Sequence, residues 1–136
     1  MGFLMNSAQI SMLAVKVHNG SDQVEYILPA ALFDRLLKAA VRSVVVDEEW
    51  YKTRYSDVAN AFDRGLIKSC AEHYRRDGYK ENRQPFPIKI DEAYYLLYNP
   101  DVAKAIEEKK FASAQEHFDV SGFLEGRLPH DGFALF

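Results

Sequence analysis

Near the N-terminus apolar residues alternate with polar ones; further along they recur at helical spacing. Leu13, Val15 and Val17 alternate with Ala14 and Lys16, and Val24, Tyr26 and Leu28 alternate with Glu25 and Ile27. That pattern predicts two strands within residues 10–28. Asn19-Gly20 lies between them and is the dipeptide best suited to a two-residue hairpin turn. Closing the turn there pairs Val15 with Val24, Leu13 with Tyr26, Lys16 with Gln23 and Ala14 with Glu25. One face then comes out apolar and the other mostly polar. Residues 1–9 read as a loose tail. Pro29 fits the first turn of a helix. After it, Leu32, Phe33, Leu36, Leu37, Ala40 and Val41 form one apolar stripe. Val44-Val45-Val46 is a short β-branched bridge leading to Asp47.

From Asp47 the pattern occurs twice. Residues 47–85 align without a gap on residues 91–129, at a period of about 44 residues, and more than a third of the positions are identical. Each copy predicts three short helices. Asp47 and Asp91 are placed to cap the first, which carries Trp50-Tyr51 or Tyr94-Tyr95. In the second copy Asn99 is placed to cap the second helix, with Pro100 at its first position. Ser69 with Glu72, and Ser113 with Glu116, have the spacing of a capping box at the start of the third. Gly78 and Gly122 are expected to end that helix in the left-handed conformation. Gln84-Pro85-Phe86-Pro87 is too rich in proline for a helix and serves as a spacer.

The expected fold is therefore mainly α: a tail (1–9), a β-hairpin plus helix (10–46), two helical repeats (47–89 and 90–129) and a C-terminal tail (130–136). Two repeats are few, because each leaves an apolar face for a neighbour to cover. The helix of residues 30–42 is expected to cap one end, and the tail with Phe133, Leu135 and Phe136 to fold over the other. A lone two-stranded hairpin is marginal in water and has two open edges. Pairing with the hairpin of a second chain would cover them, so Val15, Val17, Val24 and Tyr26 are candidates for a homodimer contact.

Composition narrows the partners. At 136 residues the chain makes one domain or a small domain with an appendage. A net charge of −3 argues against nucleic acid as the main partner. The basic cluster Arg75, Arg76, Lys80 and Arg83 is not repeated in the second copy, and residues 1–40 carry few basic residues for a DNA-binding dimer. Cys70 is the single cysteine, which excludes an internal disulfide. The sequence shows no signal-peptide pattern and no run of apolar residues long enough for a membrane span. A cytoplasmic protein with no membrane partner is the default expectation.

No constellation carries evident chemistry. His73 and His117 recur beside Glu72 and Glu116, but a metal site needs three convergent ligands and the glutamates have a capping role. A structural histidine, packed or hydrogen-bonded between helices, is the better reading. Asp47, Asp57, Asp91 and Asp101 lack the close spacing of a calcium loop. Asp57 with Arg83, and Asp101 with Arg127, keep the same separation in both copies and are expected to form a salt bridge inside each repeat. Adjacent residues on a helix lie about 100° apart. One ring of each pair Trp50-Tyr51 and Tyr94-Tyr95 can thus be core while the other offers a surface to a protein or a sugar. The competing reading packs both rings. No catalytic, cofactor or metal residue is assigned.

The order D-E-x-Y-Y, N-P-D-V-A-x-A, S-A-x-E-H-F, G-x-x-E-G-R-x-P resembles a short helical repeat of bacterial proteins. That repeat occurs in tandem beside glycosyltransferase domains and in large secreted or surface proteins. The second copy carries the pattern best, through Asp91, Tyr94, Tyr95, Asn99, Pro100, Asp101, Val102, Ala103, Ser113, Glu116, His117, Gly122, Glu125, Gly126, Arg127 and Pro129. The first departs from it at Tyr55-Ser56 and Asn82. The resemblance implies an accessory interaction module without an active site. The expected function is a non-enzymatic scaffold that binds another protein, within surface-polysaccharide or secretion machinery. The alternatives are a glycan-binding module and a small dimeric DNA-binding regulator.

Overall fold

A computed structural model describes residues 7–18, 20 and 24–133. The chain is mainly helical, with a two-stranded antiparallel hairpin ahead of the repeats. It divides into two units, Met1–Ser43 and Val44–Phe136.

The first unit contains α1 (Ser7–Leu13), β1 (Val15–His18), β2 (Val24–Ile27) and α2 (Ala30–Ser43). Helix α1 corrects the expected tail and the expected start of the strand region. Ala8, Gln9, Met12 and Leu13 are all good helix formers. With Leu13 in a helix, the hairpin takes another register: Val15 pairs with Ile27, Lys16 with Tyr26, Val17 with Glu25 and His18 with Val24. The pairings of Val15 with Val24 and of Leu13 with Tyr26 are not formed. Asn19 and Gln23 lie outside the described residues, while Gly20 adopts φ +60°. The shift is by an odd number of residues, so it moves one strand's side chains to the opposite face. Val24 and Tyr26 share a face with Lys16 and His18, and Val15 and Val17 share theirs with Ile27 and Glu25. Neither face is cleanly apolar. Val15, Val24, Tyr26 and Ile27 are all exposed, and Val17 is half-buried.

Pro29 sits just outside α2, where its carbonyl accepts from the N–H groups of Leu32 and Phe33. The expected stripe is only partly covered. Leu32 and Val41 are buried, but Phe33 and Leu36 are exposed.

In the second unit the sequence repeat is a structural repeat, element for element. The first copy has α3 (Glu48–Arg54), α4 (Ser56–Asp63) and α5 (Cys70–His73), and α5 runs on into a π-helical turn, Tyr74–Gly78. The second has α6 (Glu92–Tyr98), α7 (Pro100–Glu107) and α8 (Ala114–His117), with the π turn Phe118–Gly122 after it. The start of each copy is tied to its own end. The Asp47 N–H donates to the Pro85 carbonyl at 3.0 Å, and the Asp91 N–H to the Pro129 carbonyl at 2.8 Å. Each copy therefore closes a core of its own. The first is built on Tyr51, Val58, Ile67, Cys70 and Tyr74; the second is built on Tyr95, Val102, Ala114 and Phe118, with Ile88 joining from the segment before that copy. Phe133 packs against the second core. Leu135 and Phe136 lie outside the described residues.

The caps agree with the sequence in part. Asp47 accepts from the Trp50 N–H and Asp91 from the Tyr94 N–H, each at 3.0 Å. Ser69 accepts from the Glu72 N–H and Ser113 from the Glu116 N–H. Glu72 and Glu116 reach one residue further back than a capping box requires, to the N–H groups of Lys68 and Ala112. The Asn99 side chain does not cap α7; it donates to the Tyr95 carbonyl and accepts from Arg127. Gly78 and Gly122 are not left-handed. That conformation falls at two other matched positions, Gly65 with Lys109 and Asn82 with Gly126.

Candidate functional site

Tyr51, His73 and Gly78 meet inside the first repeat, and Tyr95, His117 and Gly122 meet at the matching place in the second. The Tyr51 hydroxyl and His73 Nδ1 share a hydrogen bond of 3.2 Å; Tyr95 and His117 share one of 3.0 Å. Both tyrosines are fully buried. A Cβ at Gly78 would collide with the Tyr51 hydroxyl, and one at Gly122 with the Tyr95 hydroxyl. The glycines are thus needed for close approach. The π turns bear them at their last position, with the Tyr79 N–H bonded to the Tyr74 carbonyl and the Phe123 N–H to the Phe118 carbonyl.

Burial raises the Tyr51 pKa, and the Tyr95 pKa in the same direction. Burial, helped by the charge of Arg83, lowers the His73 pKa. Both shifts favour the neutral forms, so Tyr51 and His73 face each other as an uncharged pair. This centre joins the first helix of a repeat to its third.

The expected ion pairs are formed as two-pronged contacts. Arg83 donates to both carboxylate oxygens of Asp57 at 2.8 and 2.6 Å, and Arg127 to both of Asp101 at 2.9 and 2.8 Å. A third bond runs from each arginine to Glu81 or Glu125. The hydrogen bonds from Arg83 outweigh partial burial and hold Asp57 down to about 2. They fasten the start of α4 or α7 to the closing turn.

Glu48 has a role the sequence did not reveal. Its carboxylate accepts from the N–H groups of Cys70 at 2.8 Å and Ala71 at 3.0 Å, satisfying the first turn of α5. Burial would raise its pKa, but these bonds bring it below the usual value. Burial and the neighbouring Glu48 push the Cys70 thiol up to about 11, which keeps it protonated and inert near neutral pH.

Within each aromatic pair the two rings differ in burial. Tyr51 and Tyr95 are core, while Trp50 and Tyr94 are half-buried. Trp50 meets Tyr55 edge-on at 6.3 Å. Tyr94 lies 4.6 Å from Tyr98, which is 66% exposed beside Leu97 at 74%. Among the described residues no three His, Cys, Asp or Glu side chains converge as metal ligands. Also among them, no helix is long and apolar enough to cross a membrane.

A cavity of about 240 Å³ opens where the two repeats meet. Its walls are the end of α3 with Tyr55, the closing turn of residues 81–84, and Asp119, Val120, Phe123 and Leu124. Arg54 spans the junction, donating to the Asp119 carbonyl at 2.7 Å. Neither His73 nor His117 lines this cavity. It could not be read from the repeat, because most of its residues fall where the copies disagree. Arg54, Gln84, Asp119, Val120 and Leu124 stand where the second or first copy has Tyr98, Leu128, Arg75, Arg76 and Lys80.

No family model, curated protein or solved structure matches the chain.

Proposed function

We propose that this protein is a non-enzymatic interaction module that forms a homodimer through its N-terminal unit and holds another protein on its helical repeats. The observation that carries the reading is the apolar surface of the first unit. Val15, Val24, Tyr26, Ile27 and Phe33 are each more than two-fifths exposed, on a hairpin with only two strands and the helix after it. Such a hairpin gains stability by pairing or packing. Placement within bacterial surface-polysaccharide or secretion machinery rests on the resemblance of the repeat alone. The test is chain mass in solution for the native protein and for Ile27→Lys, which puts a charge on the hairpin while leaving the repeats untouched. A dimeric native chain with a monomeric, still helical variant supports the reading.

A glycan-binding reading is favoured by one observation, the Tyr94–Tyr98 ring pair with its exposed outer ring. Its test is a titration of soluble oligosaccharides against the native chain and Tyr98→Ala. Binding that survives the substitution would exclude that surface.

A further inference from the structure

We infer that the cavity between the two repeats is an anchor site for an acidic–apolar step of a partner polypeptide, a carboxylate side chain followed by an aliphatic one. The inference rests on the proposed role as a protein-interaction module and specifies where and what it binds.

Three observations lead to that chemistry. The first is charge. The wall carries two cations and two acids, and two of these, Arg83 and Glu81, pair with each other. Arg83 binds Asp57 and Glu81, and Asp119 accepts from the Gln115 amide. Arg54 is bonded only to a backbone carbonyl, and among the described residues no carboxylate lies within ion-pair distance of it. It is the cation of this wall that is left to receive an anion.

The second is the apolar side. Val120 is 53% and Leu124 62% exposed, flanking the half-buried Phe123. The matching residues of the first repeat are Arg76, Lys80 and Tyr79, so this apolar wall belongs to the junction and not to the repeat pattern. The third is Gln84. It is 3% exposed, lines the cavity, and its Oε1 has no protein donor. A buried acceptor without a donor is costly, and this one lies beside the cavity. A space of about 240 Å³ with an open mouth is smaller than the usual range for a drug-sized ligand or cofactor, and suits one anchoring side chain with its neighbour.

The test uses the full chain, isotopically labelled, with N-acetyl-Glu-Leu-amide as the probe and N-acetyl-Lys-Leu-amide as its charge-reversed control. The expected result is saturable shifts in the signals of Val120, Leu124, the Gln84 side-chain amide and the Arg54 side chain, stronger with the acidic probe. Arg54→Glu should weaken the acidic probe about fivefold and turn the preference toward the basic one. Arg54 is exposed but bonded across the junction, so the variant's signals away from the cavity are read to establish that its fold is kept. Absent or non-saturable shifts at these residues, or an unchanged preference in Arg54→Glu, overturn the site. Assembly is read separately, as chain mass. A dimer with an unresponsive cavity therefore removes this site alone, and a monomer that takes the dipeptide removes the dimer alone.

Discussion

At the scale of single residues, the tyrosine–histidine–glycine centre explains why the same three residue types recur in both copies. The tyrosine hydroxyl occupies the space a Cβ would need at the glycine. Gly122→Ala is therefore expected to destabilise the protein by about 2 kcal/mol, in the range of overpacked cores. Tyr95→Phe removes the colliding oxygen, so the double substitution should recover part of that loss. Denaturant unfolding of the two singles and the double measures the coupling, and strict additivity would contradict the contact. His73 carries a second consequence. Its folded pKa lies below the ordinary value, so as pH falls below about 6.5 the unfolded chain takes up the proton first. Stability is then expected to fall from that pH downward. His73→Gln should flatten this slope, as read by unfolding at pH 7.5 and pH 5; an unchanged slope would show that His73 titrates normally.

Among the elements, each repeat is a ring of three helices closed at its seam. The backbone bond from Asp47 to Pro85, or from Asp91 to Pro129, joins the ends. The arginine fork fastens the second helix to the closing turn. Arg127→Lys keeps the charge but loses the two-pronged geometry and the bond to Asn99, for an expected cost of about 1 kcal/mol. The Asp57 pair should weaken as pH falls from about 4 toward 2, because its depressed pKa contributes only above the unfolded value. Asp101 is shifted in the same direction by Arg127. A double-substitution cycle on Asp101 and Arg127 checks the pair, and zero coupling would place both side chains in solvent.

For the whole molecule, what could be read from the sequence depended on whether a feature was local and repeated. The helices, the aspartate caps and both forks were legible because identical residues at one period must do the same work twice. The hairpin register was not. Asn19-Gly20 suggested a short turn, but the helix-forming run before it takes Leu13 out of the strand and moves the pairing. The role of Gly78 and Gly122 was misread because a glycine after a helix looks alike whether it serves a left-handed turn or a close contact. The cavity was invisible for the opposite reason: it is made mainly of residues at which the copies differ.

The first unit leaves apolar side chains on both faces of a two-stranded hairpin, and a homodimer would cover them with a second chain. The most direct measurement is the mass of the native chain by light scattering on a gel-filtration column at micromolar concentration. The expected value is twice the 15.6 kDa of one chain. A mass of one chain, held across the concentration range, would contradict the dimer.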